Sequence, residues 1–287
     1  MQMKARFAAA SFGLLLLARL TALASDNGTL EHKLDSDYAS KVLTLRNFYK
    51  GSHLRLRSDG TLIGSAPVGS WTAYGQVQVK TIRIHDRNLR IRARRIFVAF
   101  DSKTKPGRDV LDLLRDTKPA DLVKLEKFYR AQEVELDIEL PSDHPEMQDI
   151  LSALKASFLS SGESMTNIVP PFWRSYFAYR EGVPDAPPSE PVYSVKTGEV
   201  SPPRPTYSPN PSFSDEARNA RYQGTVVLSL VVDSSGTPKN VRIVTPLGLG
   251  LDENAVSAVN SWQFKPALRG STPVPVQIMI EVDFHLF

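Results

Sequence analysis

The chain ends WQFKPALRGSTPVPVQIMIEVDFHLF (Trp262–Phe287), and the residues from Val276 onward alternate. Val276, Ile278, Ile280, Val282, Phe284 and Leu286 fall on one side; Gln277, Glu281, Asp283 and His285 fall on the other, with Met279 and Phe287. Successive strand side chains point to opposite faces, so this pattern predicts a half-buried antiparallel strand. Working back, GLGLDENAVSAVNSW sets Leu251, Ala255, Ala258, Val259 and Trp262 on one helical face. Asp252 and Glu253 sit in its first turn, where the positive helix end favours them, and Pro266 ends the element. TVVLSLVVD and NVRIVT before it read as strands joined by a turn at Asp233–Gly236, with Pro238 delaying the second. SDEARNAR reads as a short helix capped by Ser214, with Gly224 as its stop. The predicted order is helix–strand–strand–helix–strand: a small α+β module with a three-stranded antiparallel sheet.

Upstream, Pro184 to Pro211 hold 9 of the chain's 21 prolines. Proline fixes φ and removes a backbone donor, so this stretch predicts a semi-rigid linker rather than a central strand or a helix. The expected organisation is therefore a leader at 1–24, a middle domain at 25–183, a linker at 184–203 and a C-terminal module at 204–287.

Three pieces of the module, SDEARNARYQGTVVLSLVVDSSGTPKNVRIV, GLGLDENAVSAVNSWQFKPA and GSTPVPVQIMIEVDFHL, resemble the TonB C-terminal domain family in the order and spacing of their small, β-branched and Trp-x-Phe-x-Pro residues. The resemblance implies a module that binds a short extended segment of an outer-membrane receptor by adding a strand to its sheet. The family's Pro-x-Tyr-Pro stretch falls on Pro211-Ser212-Phe213-Ser214, with Phe213 in place of Tyr and Ser214 in place of Pro. Candidate partner-binding residues are Asn210, Pro211 and Phe213, with Gln277, Met279, Glu281, Asp283 and His285 along the last strand. A self-pairing homodimer is the other implied partner. A family transducer resembles an anchored helix, a long proline-rich spacer and this module; here a region of about 160 residues intervenes.

That middle region predicts strands at Val42–Leu45, His53–Arg57, Trp71–Ile84 and Leu89–Phe100, with a fifth in EVELDIEL from Glu133. Short turns between them favour an antiparallel sheet or small barrel. The alternation slips between Val79 and Ile82, which predicts a bulge. HPEMQDILSALKASFLSS predicts a helix with Asp143 as its cap, and PPFWRSYFAYR a short aromatic helix packed on the sheet. Arg90, Arg92 and Arg94 form one basic strand face, and Glu133, Glu135, Asp137 and Glu139 form one acidic face. Cross-strand ion pairs are the plain expectation if the strands are neighbours; a site for an anionic ligand is the sharper one.

The first residues carry Lys4 and Arg6, then the apolar run Phe7–Ala18, then Ala22-Leu23-Ala24 before Ser25. This is the layout of a signal peptide cleaved after Ala24. The run of 12 is short of the roughly 20 residues a membrane span needs, and a membrane anchor over residues 7–24 is the alternative. Removing Lys4, Arg6 and Arg19 takes the net charge from +4 to +1, which gives no case for nucleic acid. With no cysteine there is no thiol nucleophile and no Cys-ligated metal. The five histidines lack metal spacing, and no serine elbow, phosphate loop or dinucleotide motif occurs, so neither cofactor nor catalytic residue is expected. Asp143, His144 and Glu146 are the one weak acid–base cluster. Three functions follow: an exported, periplasmic interaction protein; an inner-membrane-anchored energy transducer; and a periplasmic hydrolase in the middle domain.

Overall fold

The computed structural model describes residues 28–100, 108–109, 132–183, 191–195 and 199–286. The leader, with Ala22, Ala24 and Ser25, lies outside the described residues. No helix among the described residues is long and apolar enough to cross a membrane.

Helical residues 28–38 (α1) precede β1 (Val42–Thr44), β2 (His53–Leu56), one helical turn α2 (Trp71–Tyr74), β3 (Gln76–His85), β4 (Asn88–Ile96) and β5 (Val98–Ala99). β6 (Arg108–Asp109) pairs with β5, and β7 (Glu133–Glu139), α3 (Met147–Ser157) and α4 (Pro171–Arg180) complete the middle region. Its sheet has the order β1-β3-β4-β7-β2. The sheet is mixed and open rather than purely antiparallel or closed, because β2 runs parallel to β7. Adjacent strands β3 and β4 slip register between Val79 and Thr81, so the expected bulge is present. Past it, Asp35 and Glu31 of α1 accept the backbone N–H groups of Ile82 and Ile84 at 3.1 and 2.7 Å. Trp71–Tyr74 is helical, not extended. α3 is capped by a box between Glu146 and Asp149 rather than by Asp143, which lies 3.6 Å from Arg87. One sheet face buries Val77, Val79, Ile82, Leu89, Ile91, Leu136 and Ile138 with Ile150 and Leu154 of α3.

The C-terminal part follows the predicted order. Short edge strands β8 (Tyr193–Ser194) and β9 (Arg204–Tyr207) come first, then α5 (Asp215–Asn219), β10 (Gly224–Val232), β11 (Pro238–Thr245) and α6 (Leu251–Asn260). β12 (Gln263–Lys265), which pairs with β9, the β13 (Ala267–Arg269) and β14 (Thr272–Val274) hairpin, and β15 (Val276–Phe284) end the chain. Ser214 caps α5 by accepting the Ala217 N–H at 3.1 Å. The main sheet runs β11-β10-β15-β8, so the antiparallel trio gains a fourth, parallel strand from the proline-rich stretch. Proline confines these added strands to sheet margins, where fewer donors are needed.

One apolar core serves both regions. Phe48, Trp71, Phe97–Phe100 and Trp173 cluster with Val226, Leu228, Ile243, Leu251, Val259 and Phe284. Backbone bonds join them too: Phe100 N–H to Leu247 O at 2.9 Å, and Leu249 N–H to Val98 O at 3.2 Å.

Candidate functional site

β15 pairs with β10 along its whole length, from Val232↔Val276 to Gly224↔Phe284. On its other side β8 covers only Val276 and Gln277, and the Tyr193 N–H donates to Pro275 O at 3.0 Å. No described backbone group pairs with the outer side of Ile278–Phe284. The opposite margin of the sheet is occupied, because α4 packs along β11. A row of unpaired N–H and C=O groups is a ready template for another strand.

The side chains along this edge fall into two rows. Val276, Val282 and Phe284 are buried and Ile278 and Ile280 half-buried, whereas Gln277, Met279, Glu281, Asp283 and His285 are exposed. Gln277 donates to Ser229 Oγ at 2.9 Å, and Asp283 accepts from Thr225 Oγ1 at 2.5 Å. Met279 is 62% exposed, and Glu281 has no ion pair among the described residues. Thus the free edge offers an apolar flank on one face and acidic groups on the other.

Phe213 reaches the far end of this edge, its ring 5.4 Å from Phe284 and nearly perpendicular to it. The segment bearing Asn210 and Pro211 is tied down on both sides of them: Trp262 Nε1 donates to Pro209 O at 3.1 Å, and Asn254 Nδ2 to Ser212 O at 2.8 Å. Asn210 is exposed and Pro211 half-buried. Sequence patterning missed Tyr193 and Ser194, which hold the near end; their signal is the β-prone quartet Val192–Val195 inside the proline-rich stretch.

Other charged groups are already engaged. β4 and β7 pair so that Arg90 faces Asp137, Arg92 faces Glu135 and Arg94 faces Glu133. Arg90 binds Asp137 with two bonds, 2.8 and 3.1 Å, and Arg92 donates to Glu135 at 2.9 Å. Arg94 donates to Gln78 at 3.1 Å. His53 lies 3.3 Å from both Glu135 and Asp137, the only three-residue grouping of metal-ligand type among the described residues. The arginines that neutralise those carboxylates oppose a cation there. Between the two regions Trp173 Nε1 donates to Glu253 Oε1 at 2.9 Å, while Glu253 Oε2 is sealed from solvent without a partner. Burial pushes the Glu253 carboxyl up, and neighbouring Asp252 adds to this. Burial raises Asp252 as well, against the N–H groups of Leu247 and Gly248 at 2.8 and 2.7 Å.

Residues 209–286 match the family described as Gram-negative bacterial TonB protein C-terminal. Over 81 residues the chain is 33% identical to Protein tonB2 of Pseudomonas aeruginosa, covering 28% of this chain and 30% of that protein. Over 77 residues it is 29% identical to Protein TonB of Vibrio cholerae, covering 26% and 32%. The chain spans about a third of the length of these curated relatives. A solution NMR structure of the Pseudomonas aeruginosa TonB CTD shares 19% identity and covers 33% of this chain and 93% of its own, with a TM-score of 0.26. The matched residues carry β10, β11, β15 and the open margin, so it is this part of the chain that is similar to the TonB C-terminal domain.

Proposed function

We propose that the chain is an exported protein of the cell envelope whose C-terminal domain docks an extended segment of a protein partner, an outer-membrane receptor, by strand addition to Ile278–Phe284. The observation that carries this is the unpaired outer side of β15 in a sheet whose other margin is packed against α4. Strand addition takes affinity from main-chain bonds and specificity from alternate side chains. A scan of single N-methyl groups along a binding peptide from a receptor N-terminus tests it on the full chain. Alternate positions should lose about tenfold or more, because each costs a ladder bond and leaves a carbonyl unpaired. Intervening positions should change less than about twofold. Uniform sensitivity along the peptide rules out strand addition.

The likeness to two proteins named TonB favours a second reading, a transducer kept in the inner membrane by residues 7–24. N-terminal sequencing of the protein from native membranes separates the two: a chain starting at Ser25 has no such anchor.

A further inference from the structure

We propose that β8 is a built-in end-stop of the docking edge: Tyr193 and Ser194 hold the first two positions of β15, so a partner strand pairs with no more than Ile278–Phe284. This rests on the docking reading above and adds to it the length and chemistry of the strand that fits.

β8 is a strand added to this same edge by the chain itself. It runs parallel to β15 opposite Val276 and Gln277. Tyr193 anchors it by three contacts: its N–H on Pro275 O at 3.0 Å, its ring packed against the core, and the Arg269 guanidinium 5.4 Å from the ring centroid. Val195, in the helical turn just past β8, packs against the same core and holds the segment's other end. Arg269 is also 3.6 Å from Glu199, which ties the chain beyond the segment to the same guanidinium. A visitor cannot slide past a strand held in this way without displacing it. β15 has nine residues, and β8 takes two of them, which leaves seven.

The two rows along those seven residues set the partner's chemistry. Residues of the added strand on the inner face lie beside Ile278, Ile280 and Val282 and are best apolar. Those on the outer face lie beside Met279, Glu281 and Asp283 and are best basic, because opposite charges on neighbouring strands attract and like charges repel. The occupant is thus an extended segment of about seven residues alternating apolar and basic, and acidic alternation is excluded.

The test uses peptides of alternating valine and lysine, five, seven, nine and eleven residues long, titrated into the full chain by fluorescence anisotropy. In the native chain affinity should rise up to seven residues, with the nine-residue peptide less than about twofold tighter than the seven. Tyr193→Pro removes the ladder N–H and should release the two covered positions. The nine-residue peptide then binds about tenfold tighter than the seven, the worth of one or two added ladder bonds. Tyr193→Ala keeps the N–H but removes the ring, and should open a gain of about threefold; it decides the matter alone if the proline variant does not fold. A plateau at the same length in native and variant chains overturns the end-stop and leaves strand addition standing. Absence of binding by every peptide to every chain overturns the docking reading itself. A valine–glutamate series that binds as tightly as the lysine series overturns the assigned chemistry.

Discussion

Glu253 stands in the first turn of α6, where sequence explains an acidic residue by the helix dipole alone. Folding gives it another task. It receives the indole N–H of Trp173, a side chain from the other region of the molecule, while its second oxygen is buried without a partner. A carboxyl so placed favours its neutral form. Above the ordinary glutamate value of 4.5 the folded chain then holds a proton that the unfolded chain has released. Stability is therefore greatest at low pH on this account, and falls as pH climbs from that value toward the raised one. Asp252 is shifted the same way and adds to the slope. Glu253→Gln keeps the acceptor for Trp173 and removes the titration. Melting temperatures measured from pH 5 to 9 should show a clear decline in the native chain and a flatter one in Glu253→Gln. Parallel curves in the two proteins would show that the carboxyl does not titrate in this way.

Among the elements, β4 and β7 show how burial ranks ion pairs that look alike in sequence. Asp137 is 7% exposed and is gripped by Arg90 through two bonds, whereas Glu139 and its partner Arg55 lie in solvent 3.5 Å apart. Exposed pairs contribute little, and removing one partner of a buried pair leaves an uncompensated charge. Asp137→Asn should lower the melting temperature several times as much as Glu139→Gln; equal losses would contradict the ranking. The two charged faces were readable in sequence, because Arg90, Arg92 and Arg94 recur with the same period of two as Glu133, Glu135 and Asp137; that their strands are neighbours was only a condition. Also readable were β15 and α6, whose apolar periods run through most of each element. Local periodicity does not record which distant segment lies beside which, and this is where reading failed. The parallel placement of β2 on β7 is a long-range choice. β8 is only two residues long and stands among prolines, so no period could reveal it. Trp71–Tyr74 offers apolar residues that suit a buried helical turn as well as a strand. The residues of the open edge could be named from alternation, but its near limit could not, because β8 sets it from outside the module.

At the scale of the molecule, the C-terminal module is packed into the middle region rather than hung from it. Tyr222 Oη donates to Phe100 O at 2.9 Å, the Gly250 N–H to Thr72 Oγ1 at 3.1 Å, and Tyr74 Oη to Glu216. The backbones meet at Gly248, which forms a bridge with Ala99. Its φ is +97°, and a Cβ there would stand 2.4 Å from Val98 O, a backbone atom that cannot swing aside. Gly248→Ala therefore meets both an unfavourable dihedral and a clash, and must open the seam between the regions. If the shared core makes folding a single cooperative event, the loss spreads to residues that touch neither side of the substitution. Two probes can follow this: tryptophan emission, which reports Trp71 and Trp173 in the shared core and Trp262 in the C-terminal module, and amide exchange in β3, β4 and β7. Both should shift to lower denaturant by the same amount in Gly248→Ala, on the order of the 1–3 kcal/mol that a strained backbone position costs. A variant in which exchange in β3, β4 and β7 keeps its native midpoint while the emission moves would show two independent units. The middle region would then tether the open edge of β15 rather than hold it in a fixed orientation.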